Sequence, residues 1–337
     1  MGTGAYSYVH DLFFKIKNLP LFFIVSESLL VTIKIKQMKK NLFGRIGAIA
    51  ILSASLIACQ KDVAPLTEQG PVNLSASFES NTNNPQGITF YALAGNTLDK
   101  YSTTNPETLL SSATITGLQP GERVLGLDFR PRNGQLYALG SNSRVYTVNP
   151  MTGVATFAFS FTNSMGGAPV LLSGTSFGFD FNPQVDRLRI VSNTGQNLRV
   201  VPDNAATGVR GTTFVDGSIN PQPASITGVA YDNNVAGTPT TELYALDATV
   251  DVMYEIKPPN FGTLVEPLPV KLKLEGGGGF DIAPRNANVT TDIGLGLYEV
   301  NKKSTLFQID VETGDTRIMA KYNKDILYTS LAISPAL

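Results

Sequence analysis

From residue 87 onward the chain is a succession of short apolar runs rich in Val, Ile, Leu, Tyr, Phe and Thr, each broken by a cluster of Gly, Pro, Asn or Asp. Runs of that length and composition between turn formers read as strands. No stretch beyond Cys59 holds the 3.6-residue apolar period of a long helix. The expected class is therefore all-β.

The runs repeat. A Gly-apolar-Asp pattern appears as GLDFRP at Gly126, GFDFNP at Gly178, GVAYDN at Gly228, GFDIAP at Gly279 and, degenerate, SLAISP at Ser330, in steps of 52, 50, 51 and 51 residues. A second strand follows each of the first four copies: QLYALG at Gln135, RLRIVS at Arg187, ELYALD at Glu242 and GLYEVN at Gly296. A third follows a short turn, and Thr-Gly pairs ending at Gly153, Gly208 and Gly314 supply the positive φ for the next turn. Fourth strands such as ATFAFSF from Ala155 and TRIMAKY from Thr316 complete the unit. Four antiparallel strands per unit of about 51 residues is the pattern of a propeller blade. Equal spacing favours this over a β-sandwich.

The two ends are out of phase in a complementary way. Residues 88–101, ITFYALAGNTLDKY, match a second and third strand with no first, whereas TSLAISPAL at the end is a first strand with nothing after it. Joined, they make a fifth blade. The prediction is a five-bladed propeller over 87–337, closed by the C-terminal strand pairing with the N-terminal blade.

The 58 residues at the front change the picture. MKKNLFGRIGAIAILSASLIAC, residues 38–59, has a basic start, a short apolar run and a Leu-Ile-Ala-Cys ending. That is the layout of a secretory signal, and its ending resembles a bacterial lipobox, which implies a lipid on Cys59. The apolar run falls short of the ~20 residues a membrane span needs. Met38 is the expected initiator, with 1–37 an upstream extension. Residues 59–86 read as the lipidated cysteine and a polar tether, and Gln60-Lys61-Asp62 resembles a surface-export tag. The expected location is the bacterial outer membrane, on the cell surface or facing the periplasm.

This layout restricts the chemistry. The chain's one Cys is Cys59, its one His is His10, and it has no Trp, so the predicted mature chain excludes Ser-His-Asp triads, Cys-His pairs and His-ligated metals. Neither a cofactor nor a metal site is assigned. Residues 1–58 hold seven of the 26 Lys and Arg but two of the 27 Asp and Glu. The rest of the chain is net acidic, which argues against a nucleic-acid partner.

Two constellations remain. Asp128, Asp180 and Asp281 occupy one position of three repeats, with Ala230 and Ala332 in the other two. Converging on the axis, they could ligate a cation or act as an acid–base pair on a sugar; the plainer expectation is that each accepts backbone N–H groups of an adjacent blade. The second set is Arg187, Arg189 and Arg199, with Asn193, Gln196 and Asn197. Arg189 stands where other repeats carry Tyr91, Tyr137, Tyr244 and Tyr298. Buried there, it needs a carboxylate, with Asp180, Asp186 and Asp203 as the candidates, and the alternative is an anion or glycan site. The repeated tyrosines, with Phe129, Phe179, Phe181 and Phe280, are expected to be packing. One face of the ring should gather Asn96, Glu122–Arg123, Asn142–Arg144, Asn193–Asn197, Asp247–Asp251 and the glycines 276–279, the last as a flexible turn.

The run FGFDFNPQVDRLRIVSNTGQNLRV, with YALGSNSRVYTVNP and TGVAYDNN, resembles the bacterial family called domain of unknown function 4394, across about residues 87–337. The resemblance implies an exported β-propeller and brings no activity. The function expected is a monomeric, lipid-anchored binding module for a glycan, anion or protein; the alternative is a carboxylate-based glycoside hydrolase at the channel.

Overall fold

A computed structural model describes residues 87–204, 208–284, 292–323 and 325–335 of the chain. The expected signal sequence, Cys59 and the expected tether lie outside the described residues. Five small sheets form a five-bladed β-propeller. The first blade comprises β1 (Thr89–Ala94), β2 (Thr97–Ser102) and β3 (Ser111–Thr114), and the second β4 (Val124–Arg130), β5 (Gln135–Gly140), β6 (Arg144–Val148) and β7 (Ala155–Ser160). A two-residue strand, β8 (Thr162–Asn163), precedes the third blade of β9 (Phe177–Asn182), β10 (Arg187–Ser192), β11 (Asn197–Val200) and β12 (Thr212–Val215). The fourth blade is β13 (Ile226–Tyr231), β14 (Leu243–Asp247), β15 (Val252–Ile256) and β16 (Leu264–Pro269), and the fifth β17 (Glu275–Ile282), β18 (Ile293–Val300), β19 (Lys303–Asp310) and β20 (Thr316–Lys321). The last strand, β21 (Ser330–Ile333), pairs antiparallel with β1 in the register Phe90 to Ile333, and so supplies the first blade's inner strand.

Turn chemistry sets the strand boundaries. Gly153 and Gly314 have φ of 74° and 73°. In the same turns Asn149 Oδ1 accepts from the Met151 and Thr152 amides, and Asp310 Oδ1 from those of Glu312 and Thr313, the local bonding that makes Asn and Asp turn residues. Two details differ from the sequence expectation. Strand β8 adds a parallel fifth strand to the outer edge of the third blade. The glycines 276–279 are not a loop but lie inside β17, at a register irregularity between Glu275 and Gly279. A side chain at Gly278 would stand 2.5 Å from the Leu297 carbonyl, so the run permits close strand approach.

Each inner strand lies against the next, β4 on β9, β9 on β13, β13 on β17, β17 on β21 and β21 on β4. The apolar core is built between blades. Tyr137 of β5 packs edge-on to Phe181 of β9, with ring centroids 5.0 Å apart, and Tyr91 meets Phe129 at 5.5 Å. The repeated aromatics are packing residues, as expected, with Tyr244 half-exposed. Among the described residues, no helix is long and apolar enough to cross a membrane.

Candidate functional site

The three aspartates converge. A carboxylate oxygen from each of Asp128, Asp180 and Asp281 lies within 4.8 Å of the others, and all three residues are buried. The convergence follows from the repeat: equivalent positions of β4, β9 and β17 face one axis, while Ala230 of β13 and Ala332 of β21 fill the remaining two. Each Asp also holds the next inner strand. Asp128 Oδ2 accepts from the Phe181 amide at 2.8 Å, Asp180 Oδ1 from Tyr231 at 3.2 Å, and Asp281 Oδ2 from Ile333 at 2.6 Å. Asp281 Oδ1 additionally accepts from the Ile282 amide.

Those bonds do not use every acceptor. Asp128 Oδ1 is fully buried with no hydrogen-bond partner among the described residues, a costly state for a carboxylate oxygen. Burial pushes the Asp128 carboxyl well above the usual range, and the neighbouring charge of Asp281 adds to it. Burial also raises Asp180, followed by the charges of Asp128 and Asp281. Asp281 is raised by burial to about 7, against the pull of the Ile333 and Ile282 amides. Three carboxylates at this spacing cannot all be charged without a compensating positive charge. The described structure forms no ion pair between any of them and a Lys or Arg.

The arginine set is arranged differently. Arg189 is 2% exposed, and its guanidinium donates to Asn197 Oδ1 at 2.8 Å, Asp216 Oδ2 at 2.9 Å, Asn260 Oδ1 at 2.7 Å and Tyr231 Oη at 3.4 Å. Burial opposes its charge, but Tyr231 and Asp216 outweigh that and its pKa is raised. Its counter-ion is thus Asp216, not Asp180, Asp186 or Asp203. Asp216 also takes both forks of Arg199, which stacks over Phe214 at 4.4 Å. Arg187 donates to the carbonyls of Val185 and Asp186. The amide loop binds protein as well: Gln196 bridges the Ser173 amide and the Leu171 carbonyl, and Asn193 Oδ1 accepts from the Thr175 and Ser176 amides.

Sequence reasoning missed a second buried arginine. Arg130, 1% exposed, donates from Nε to Asp186 at 2.7 Å and from Nη1 to Asp203 at 2.6 Å, tying the second blade to the third. Desolvation works against this charge too, and its acidic partners leave the pKa raised. A signal was present: the other repeats carry Asn182, Asp232, Ala283 and Ser334 at that place.

A cavity of about 560 Å³ opens on the face predicted to gather the turns. Every blade contributes to it: Gly95 and Asn96 from the first, Arg123–Leu125 from the second, Thr175–Phe177 from the third, Thr227 from the fourth, and glycines 276–278 with Glu299 from the fifth. Arg123 is exposed, and in the described structure neither its guanidinium nor the Glu299 carboxylate takes part in an ion pair. Val124, Leu125 and Phe177 supply an apolar wall. Asn193, through its bonds to Thr175 and Ser176, braces one rim. The cavity lies where the inner strands begin, and Asp128 follows Leu125 by about 10 Å of strand. Sequence reasoning placed Asn96, Arg123 and the glycines on this face, but not Thr175–Phe177 or Glu299, whose positions depend on how blades dock.

Comparison with curated proteins gives no match. Among solved structures, a nidogen/laminin complex is similar at 10% identity and a TM-score of 0.39, over 74% of this chain and 98% of that one. BBS1N in complex with ARL6DN is similar at 12% identity and 0.34, over 73% and 64%, and U3-55K at 11% and 0.36, over 60% and 53%. Likenesses this distant carry no argument about activity. A family model does match, over residues 97–332, and by that match the chain belongs to the family described as Domain of unknown function (DUF4394).

Proposed function

We propose that the protein is a non-enzymatic binding propeller, anchored outside the cytoplasm through a lipid on Cys59, whose ligand is a sugar or similar hydroxyl-rich molecule held in the cavity lined by all five blades. The observation that carries the ligand reading is that cavity's make-up. Its volume of about 560 Å³ falls within the range of small-molecule sites. An apolar wall of Val124, Leu125 and Phe177 suits the C–H face of a sugar ring, and Asn96, Arg123, Ser176 and Glu299 offer donors and acceptors for hydroxyls. Loops on a rigid scaffold are the usual place for such groups.

Hydrolysis across the axis is the weaker reading. Glycosidase carboxyls flank the bond they cleave at about 5 to 9.5 Å, with substrate between them. Here the three aspartates sit within 4.8 Å, buried, each engaged with backbone amides.

The test is a glycan array followed by calorimetry on the full-length protein and on Arg123→Ala and Glu299→Ala. Removing one partner of a ligand hydrogen bond to a charged group costs about 1.5–3 kcal/mol, so either variant should bind roughly tenfold or more weakly. Wild-type protein that binds no glycan, or variants that bind as well as wild type, would sink the reading.

A further inference from the structure

We propose that Asp128, Asp180 and Asp281 form a binding site for one calcium ion on the axis of the inner strands. Three oxygens within 4.8 Å of one another fit a common Ca²⁺ shell. Three oxygens evenly spread around one ion at 2.3–2.6 Å stand about 4.0 to 4.5 Å apart, inside that bound, and calcium takes such ligands without the near-ideal octahedral geometry that Mg²⁺ demands. The donors are all carboxylate oxygens, the hard ligands calcium takes.

An acidic cluster alone would not establish a site, and the second observation is the orphaned oxygen. Asp128 Oδ1 is fully enclosed, in a residue 1% exposed, and no hydrogen bond of ordinary geometry ends on it among the described residues, the Phe129 amide being a further group that favours the ionised carboxyl. A buried carboxylate oxygen without a donor is explained if it faces a cation. The other oxygens are oriented for the same purpose. The amides of Phe181, Tyr231 and Ile333 each fix one carboxylate from the neighbouring strand. Backbone donors thus hold the ligands in place while leaving further acceptor capacity on each. Ala230 and Ala332 keep the remaining two positions small.

The calcium site shares no residue with the proposed sugar site, and its readout needs no sugar. Full-length protein is melted in EDTA and then in increasing CaCl₂, with bound metal counted by elemental analysis after desalting. We expect one calcium per chain and a Tm raised by about 5 °C or more once calcium exceeds its Kd a hundredfold, with MgCl₂ giving a smaller shift. In Asp128→Asn and Asp180→Asn the calcium-dependent shift should vanish. In EDTA, Asp128→Asn should melt close to wild type, because its amide oxygen can still accept from the Phe181 amide; a loss of Tm in EDTA as large as that in CaCl₂ would indicate a purely structural role. Terbium luminescence on wild type alone covers the case in which a variant fails to fold. Absence of bound calcium and terbium, with identical melting in EDTA and CaCl₂, would overturn the proposal.

Discussion

At the scale of single residues, the consequential groups are charges placed where a repeat would put neutral side chains. Arg189 on a tyrosine position is tolerated because Asp216, Asn197, Asn260 and Tyr231 together satisfy its donors. Asp216 is the critical partner, since it is nearly buried and shared between Arg189 and Arg199. Breaking a buried pair by removing one member leaves an uncompensated charge and costs about 3–5 kcal/mol. Asp216→Ala should therefore lower stability by roughly that amount in urea unfolding. Asp203→Ala provides the contrast: its carboxylate also reaches a buried arginine, but it is 52% exposed and Asp186 remains to Arg130. Its loss should cost about 1 kcal/mol or less. Equal effects of the two substitutions would show that burial is not what makes Asp216 matter.

Among strands, the repeat was legible because its markers are local. Arg187–Ser192 and Gln135–Gly140 have the boundaries that their turn residues predict, and β21 completes the first blade as the phase of the two ends implies. What stayed hidden depends on docking. The counter-ion of Arg189 is 27 residues away on the link after β12, and nothing in its own neighbourhood identifies it. The glycines 276–279 read as a turn, yet the register places them in a strand. Even the motif's leading glycine carries a meaning visible only between blades. A Cβ at Gly178 would stand 2.5 Å from the Val229 amide nitrogen, one at Gly228 2.5 Å from Tyr298 Oη, and one at Gly126 2.9 Å from Phe179 Cβ. Four of the five inner strands carry glycine at this close approach, and on β21 the place is taken by the small Ser330, whose Oγ accepts from the Leu127 amide at 3.0 Å. Gly178→Ala meets rigid backbone and should cost about 1–3 kcal/mol through overpacking. Gly166→Ala, where open space surrounds the site but φ is 78°, should cost only the backbone strain of about 1 kcal/mol. Thermal or urea unfolding of the pair checks the ordering, and the reverse ordering would deny that strand approach sets the glycine requirement.

At the scale of the whole molecule, the proposed reading joins a ligand-binding propeller to a lipid on Cys59, and the anchor can be tested apart from the ligand. A single acyl chain binds membranes only marginally, so stable anchoring requires the multiply acylated cysteine that a lipobox implies. The mature protein isolated from bacterial membranes should accordingly begin at Cys59, with the mass of that N-terminal peptide increased by its acyl groups. It should partition into the detergent phase, and Cys59→Ala should leave it in the aqueous phase with its folding unchanged, because no thiol is used in the described fold. Surface display adds a separate outcome: on intact cells, added protease should remove the propeller, whereas a periplasm-facing protein is cut only after the outer membrane is opened. An unmodified N-terminus elsewhere in the chain, or membrane retention that survives Cys59→Ala, would rule out the lipid anchor while leaving the two proposed binding sites to be judged by their own tests.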